Sequence, residues 1–288
     1  MVISMRKIVG AIRILRPINC LMMGFAVIVG AFISVGRLMA DQLLIDLLFG
    51  FITASALTGA SMAINDYYDR DIDAINEPNR PIPSGLIKPA EAVALAIALS
   101  SVGLISAALT NFLCLLLALF SWLVSVAYST AGKRTGLFGN FLVSACVSMP
   151  FIYGGAAVKG VIEPYTILFA ALAFLTNTGR EIAKGIVDVE GDKIKGIKTL
   201  ALLYGSKKAA QSASVFLILA VLLSPMPIIF GLANVWFLPP LIIADIGFIV
   251  SSIRLMKNPV KENAKKVKSI ILICMMVGLI AFIAGAVK

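Results

Sequence analysis

Asn65-Asp66-Tyr67-Tyr68-Asp69-Arg70-Asp71-Ile72-Asp73 decides the reading, because it follows without a break on an apolar run over residues 43–64. On a helix turning about 100° per residue, Asn65, Asp66, Asp69 and Asp73 share an arc of roughly 100°, while Asp71 points away. Three carboxylates on one face repel one another, and acids at a membrane boundary are costly unless they serve a site. The run before them is one of a series. Of 288 residues 60% are hydrophobic and 14% charged, and the mean hydropathy is +0.99. A soluble chain of this length cannot bury so much apolar surface, so lipid is the solvent for most side chains.

Apolar segments fall at residues 18–35, 43–64, 92–110, 112–127, 138–158, 165–177, 212–232, 235–253 and 270–287. This predicts an all-α, polytopic membrane protein of nine transmembrane helices around a central cavity. Nine spans put 22 of the 25 Lys and Arg residues on the side of the N-terminus, leaving only Arg37, Lys159 and Lys288 opposite. Basic residues gather on the cytoplasmic side of membrane proteins, so the N-terminus is expected inside and the C-terminus outside. The net charge of +10 is then a topology signal plus affinity for anionic headgroups or phosphorylated substrates, and nucleic acid is not expected as a partner. No cleavable leader is expected, since the first apolar run follows Arg6, Lys7, Arg13 and Arg16 and outruns a signal core.

Nine of the fifteen acids lie in two clusters, the first being Asp66, Asp69, Asp71, Asp73 and Glu77. The second continues the sixth segment as Arg180-Glu181-Ile182-Ala183-Lys184-Gly185-Ile186-Val187-Asp188-Val189-Glu190-Gly191-Asp192. If the helix persists, Arg180, Lys184, Asp188 and Asp192 are successive i, i+4 neighbours, with Glu181 beside them and Glu190 on the far side; Gly185 and Gly191 could interrupt that register. The clusters follow the second and sixth spans, so residues 1–130 and 131–255 read as a pseudo-repeat of two four-helix halves, with a ninth helix over 268–288. Each cluster precedes a long loop, 74–91 and 189–208. Pro78, Pro81, Pro83 and Pro89 stiffen the first, which is either a lid or a plain connector.

Converging carboxylates are relieved by a hard divalent cation, and oxygen ligands with one or two acids per ion suit Mg²⁺ when phosphate supplies the rest. A basic set, Arg80, Lys133, Arg134, Arg180 and Lys184, shares the same membrane face, which suggests a metal-bridged diphosphate. The chain has no histidine, so histidine bases, Ser-His-Asp triads, His-ligated zinc and haem are excluded. Cys20, Cys114, Cys146 and Cys274 lie apart in apolar stretches without ligand spacing and read as small buried residues.

These motifs resemble the UbiA superfamily of intramembrane prenyltransferases. The resemblance rests on Asn65-Asp66-x-x-Asp69-x-x-x-Asp73, Asn79-Arg80-Pro81-Ile82-Pro83-Ser84-Gly85 and Asp188-x-x-x-Asp192. Arg16-Pro17-x-Asn19, Tyr128 with Lys133 and Arg134, and Asn140 fit in the same order. Arg180-Glu181-x-x-Lys184-Gly185-x-x-Asp188-x-Glu190-Gly191-Asp192 and Lys198-Thr199-Leu200 are most similar to the archaeal digeranylgeranylglyceryl phosphate synthases. The stretch from Asp73 to Gly85 also occurs in chlorophyll synthases and does not separate the subfamilies. The resemblance implies Mg²⁺-dependent transfer of a geranylgeranyl group from its diphosphate to geranylgeranylglyceryl phosphate, in archaeal ether-lipid synthesis. It further implies that Asn65, Asp66, Asp69, Asp73, Asp188 and Asp192 hold Mg²⁺ against the diphosphate, with Lys133, Arg134, Arg80 and Tyr128 binding its oxygens. Asn19 would hold the acceptor or a bridging water. Apart from the resemblance, the placement of Arg180 and Lys184 on the second acidic helix makes them candidates for the acceptor's own phosphate.

Two other readings stay open. One is prenylation of an aromatic quinone precursor or a chlorophyllide, which needs no acceptor-phosphate site. The other is an ion-coupled transporter, whose signature would be acids at mid-membrane. Only Asp245, with Asp46 near a helix start, lies within a span, and Asp245 is expected to bond a neighbouring serine or cap a polar pocket.

Overall fold

The computed structural model describes residues 2–35, 41–194 and 196–286. Arg37, Lys195 and Lys288, three of the charges counted above, and the last two residues of the expected ninth helix fall outside them. Among the described residues there are twelve α-helices, two short 3₁₀ turns and no strand. The helices are α1 (Val2–Leu15), α2 (Pro17–Val35), α3 (Asp41–Asn76), α4 (Pro89–Thr110), α5 (Phe112–Thr130) and α6 (Leu137–Lys159). There follow α7 (Pro164–Val187), α8 (Val189–Ile194), α9 (Leu200–Leu223), α10 (Met226–Ile229), α11 (Leu238–Lys257) and α12 (Lys261–Ala286).

Eight of these stretches are long and apolar enough to cross a bilayer. The chain is therefore a polytopic membrane protein. The helix matching the sixth expected span, α7, is not among the eight. It has 24 residues, but its last turns carry Arg180, Glu181 and Lys184, and 13 of its side chains, Glu181 included, are buried. It is sheltered on three sides by α6, α9 and α12, so a polar half is tolerated without facing lipid. The outer surface is what a lipid environment requires: Ile97, Phe112 and Trp236 are 63%, 73% and 70% exposed.

Most expected ends agree to within a few residues, and the exceptions have local causes. α3 runs on past residue 64 to Asn76, because nothing from Asn65 onward breaks a helix until Pro78. α7 likewise runs ten residues past the expected 177. The seventh span, expected at 212–232, is displaced: α9 begins at Leu200, turns at Gly205 with φ 82°, and ends at Leu223 ahead of Pro225 and Pro227. The N-terminal stretch, read only as a basic flank, is the amphipathic helix α1. It buries Ile14 among Ala63, Ile82, Ile87, Ala92 and Ala96 and leaves Met5, Ile8 and Ile12 exposed beside Arg6 and Lys7, an arrangement suited to a membrane interface.

In chain order α2 packs on α3 and α6, α3 on α4, α6 on α7, α7 on α9, α9 on α11, and α12 closes the bundle against α11, α7 and α2. Tight backbone approach sets the α2–α6 crossing: a side chain on Gly30 would strike the Phe151 carbonyl, and one on Gly154 the Val27 carbonyl. Small residues at such crossings let helices associate where lipid tails offer no hydrophobic gain. Phe282 of α12 meets Phe151, Phe169 and Phe237 and ties α12 to both α6 and α7. The α4–α5 hairpin turns on Asn111, whose side chain accepts from the Cys114 amide at 2.8 Å and donates to the Ala156 carbonyl at 3.0 Å. The four cysteines are free, Cys114 and Cys274 buried and Cys20 and Cys146 half-buried.

Candidate functional site

Alternation of the long helices brings the C-terminal ends of α3, α5 and α7 to one end of the bundle together with the N-terminal ends of α2, α6 and α12. A cavity of about 400 Å³ opens there between them. Its inner walls are apolar, from Met22, Leu57, Trp122, Val147, Pro150 and Leu272. A smaller apolar chamber of about 80 Å³ continues past Met22, Met23, Val147 and Met275. At its wall Asp245 accepts a 2.6 Å hydrogen bond from Ser224, so the one acid deep in a span is the serine-bonded residue the sequence suggested.

The α3 end is built as expected: Asp66, Asp69 and Asp73 are each 3–4% exposed, and Asp71 turns outward with 70% of its side chain exposed. Each buried acid has a cation. Lys133 bonds Asp69, which also accepts from Asn65 at 2.9 Å. Arg80 bonds Asp73 at 2.6 Å and Asp66 at 3.4 Å, and Arg16 bonds Asp66 at 2.6 Å. Burial pulls the Arg80 guanidinium down, but the charges of Asp73 and Asp66 outweigh it and hold it above its ordinary range. The loop over 74–91 delivers Arg80 through anchors: Ile82 and Ile87 are 8% and 5% exposed, and Ser84 donates to the Arg80 carbonyl at 2.6 Å.

The second cluster does not continue as one straight helix. α7 ends at Val187, Asp188 caps it with its amide on the Lys184 carbonyl at 3.2 Å, and Asp192 sits in α8. Because α8 packs on α3, the break carries Asp192 toward the first cluster rather than away from it. Glu190 is exposed on the far side, as expected, with Lys261 at 2.6 Å. Burial, reinforced by Asp188, pushes the Asp192 carboxyl up to about 6 against the pull of Lys133 and Lys184.

Asn19, Asn65, Asp69, Asp73, Arg80, Tyr128, Lys133, Arg180, Lys184, Asp188 and Asp192 all line this one cavity. Two expected site residues do not. Asp66 lies behind the cavity surface, held by Arg16 and Arg80. Arg134 is exposed and outside the lining, because the tight turn Gly132–Thr135 sends Lys133 inward and its neighbour out. Gly136, with φ 66°, lets that turn dock where any side chain would strike the Lys198 carbonyl. Four charged lining residues lie outside the expected set: Glu77, Glu181, Arg16 and Lys268. Glu181, 8% exposed, takes Arg180 at 2.8 Å and Lys184 at 3.2 Å. Arg16 opens α2 from a left-handed φ of 50°, and Lys268 projects from α12. The motif Arg16-Pro17-x-Asn19 pointed toward the first; Lys268 stands in a basic run and is separated from it only by helical phase.

Among the described residues no three acidic or cysteine side chains form a ready-made metal cage. The donor set nevertheless fits Mg²⁺, which binds through one or two carboxylates and takes its remaining oxygens from water and phosphate. Asp188 and Asp192 suit that use, since among the described residues neither accepts a side-chain bond and burial together with Asp188 raises the Asp192 carboxyl.

The UbiA prenyltransferase family matches residues 23–284 of this chain. Digeranylgeranylglyceryl phosphate synthase of Methanocaldococcus jannaschii is 36% identical over 286 residues, 99% of both chains. The synthase of that name from Natronomonas pharaonis is 36% identical over 260 residues, 90% of this chain and 92% of its own. A solved structure described as giving insight into digeranylgeranylglyceryl phosphate synthase in membranes superposes with a TM-score of 0.76 at 34% identity, covering 98% of this chain and 99% of that one. A UbiA homologue from Archaeoglobus fulgidus bound to GPP and Mg²⁺ shares the fold at 19% identity, TM-score 0.63, covering 95% of this chain and 99% of that one. With its two acidic motifs meeting at one cavity mouth and the family match spanning nearly its whole length, the chain belongs to the UbiA prenyltransferase family.

Proposed function

We propose that this protein transfers a geranylgeranyl group from geranylgeranyl diphosphate to the free hydroxyl of geranylgeranylglyceryl phosphate, releasing diphosphate, as the second ether-forming step of archaeal lipid synthesis. The observation that carries the reading is one cavity with two acidic clusters and cations at its mouth and apolar walls behind them. A prenyl diphosphate has that division, charged at one end and hydrocarbon at the other. The relatives named above support the choice of acceptor.

In this reading Arg80 and Lys133 receive the diphosphate oxygens. Asp69, Asp73, Asp188 and Asp192, with Asn65, would hold Mg²⁺, which when bound supplies charge neutralisation to the leaving diphosphate. The allylic C–O bond breaks with its electron pair going to the diphosphate. Cations fixed in advance stabilise that charge more as it develops than before, which is what lowers the barrier. Tyr128, on the cavity wall at the end of α5, donates to the same oxygens. The acceptor hydroxyl, steered by Asn19, closes a new C–O bond on the allylic carbon. With no histidine present, its proton passes to a carboxylate or to the departing diphosphate. Trp122, Leu57 and Val147 exclude water that would otherwise capture the same carbon.

The same reading has α7 as a ninth crossing and the cavity mouth on the cytoplasmic side of the cell membrane, supported by the 22 basic residues on that side. It also keeps 1–130 and 131–255 as a pseudo-repeat, supported by an acidic cluster at or just beyond the C-terminal end of α3 and of α7. The test is purified full-length protein in liposomes with geranylgeranyl diphosphate, offered geranylgeranylglyceryl phosphate and 4-hydroxybenzoate in parallel, with Mg²⁺ or EDTA. Metal-dependent double ether is the expected product. Prenylated benzoate instead would overturn the lipid acceptor.

A further inference from the structure

Every cation that lines the cavity is bonded to a carboxylate except one. Arg16 and Arg80 hold Asp66 and Asp73, Lys133 holds Asp69, and Arg180 and Lys184 share Glu181. Among the described residues Lys268 has no hydrogen bond or ion pair. It is not a surface lysine, because on α12 Lys261, Lys265 and Lys266 are exposed while Lys268 stands one turn from Leu272 and two from Met275, and these three line the cavity together. The charges within its reach are Asp188, Glu77, Lys184 and Arg180. Facing it on α7, Arg180 directs Nη1 to Glu181 and keeps a buried Nε with no acceptor. A buried donor left without a partner is costly and marks a place where an acceptor belongs.

The reaction proposed above brings two anions into one cavity, a diphosphate and a phosphate monoester. Like charges in a low-dielectric space need separate counter-charges. Arg80 and Lys133 are committed to the α3 end. We propose that Lys268, with Arg180 and Lys184, forms a second anion subsite between α7 and α12 that takes the phosphate monoester of the acceptor lipid. This rests on the reaction proposed above and goes further, since an aromatic or pigment acceptor carries no phosphate monoester, the dianion for which three cations are suited. Lys268 then acts on acceptor selection, while Glu181 keeps Arg180 and Lys184 in place beside it.

The test compares full-length protein in liposomes with its Lys268→Gln and Lys268→Arg variants. Binding of geranylgeranylglyceryl phosphate is titrated without prenyl diphosphate, and steady-state transfer is measured with that acceptor and with its dephosphorylated alcohol. Lys268→Gln is expected to raise Kd and KM for the phosphorylated acceptor about tenfold, the scale of one charged hydrogen bond. The preference for phosphate over alcohol falls by the same factor, Lys268→Arg restores both, and the KM for geranylgeranyl diphosphate stays within about twofold. An unchanged acceptor Kd, or an equal rise in the KM for the diphosphate, would overturn the subsite. Acceptor binding that depends on Lys268 in a protein that forms no ether would keep the subsite and overturn the reaction.

Discussion

The two acidic ends of the cavity carry similar residues and are finished differently. At the α3 end all three buried aspartates are neutralised by Arg16, Arg80 and Lys133 within bonding distance. At the α7–α8 end the cations turn to Glu181 instead, and among the described residues Asp188 and Asp192 line the cavity without an ion pair. The first end is an assembled network that fixes Arg16, Arg80 and Lys133 in position. The second keeps its charge unspent and is therefore where an incoming divalent cation gains most. In the reading proposed above, the α3 end supplies positioned cations together with metal ligands, and the α7–α8 end supplies metal ligands that are not already ion-paired.

The sharpest way to break this comparison is to remove one acid from each end. Asp69→Ala and Asp188→Ala should each lower transfer by about 10²–10³-fold or more, the scale of losing one charge-stabilising group, with both proteins monodisperse on size exclusion. Full activity in either variant would remove that end from the site. Next in size is a stability effect confined to the α3 end. Arg80→Ala leaves Asp66 and Asp73 short of a buried counter-charge, which typically costs about 3–5 kcal/mol, and thermal unfolding in detergent should show it as a clearly lowered Tm. At the other end Asp192→Asn removes a carboxylate whose charged form burial and Asp188 already disfavour, so its Tm should match or exceed wild type. Mg²⁺ with pyrophosphate should raise the wild-type Tm by about a few degrees and leave that of Asp192→Asn unchanged. The smallest effect lies outside the comparison: Lys7→Ala breaks an exposed pair with Glu91 at 2.6 Å and should leave both Tm and turnover at wild-type values.

Periodicity explains why so much of this was legible. The apolar runs located the eight spans, since a lipid-exposed helix must be apolar, but α3, α9 and α12 each reach about nine to twelve residues beyond one expected end, where polar turns continue the helix. The 100° rotation placed Asp66, Asp69 and Asp73 inward and Asp71 outward, as found. What the pattern could not supply was layering. Asp66 and Asp69 share a face, yet only the packing of Arg16 and Arg80 sets one behind the cavity surface and leaves the other on its wall. Arg134 is adjacent to Lys133 and was grouped with it, but a 3₁₀ turn sends consecutive side chains apart. The break at Asp188, which brings α8 onto α3, depends on a tertiary contact that no local rule encodes. Apolar run length does not reveal the amphipathic α1, whose exposed Met5, Ile8 and Ile12 alternate with Arg6, Lys7 and Arg13.

The central claim is that the two acidic ends act on one diphosphate. Its most direct test is a double-mutant cycle of Asp69→Asn and Asp188→Asn, reading single-turnover transfer from geranylgeranyl diphosphate. Groups that act as a unit are strongly non-additive, so the account predicts that the double variant is scarcely slower than the slower single. Losses that multiply, so that the double variant falls by the product of the two single effects, would contradict a shared site.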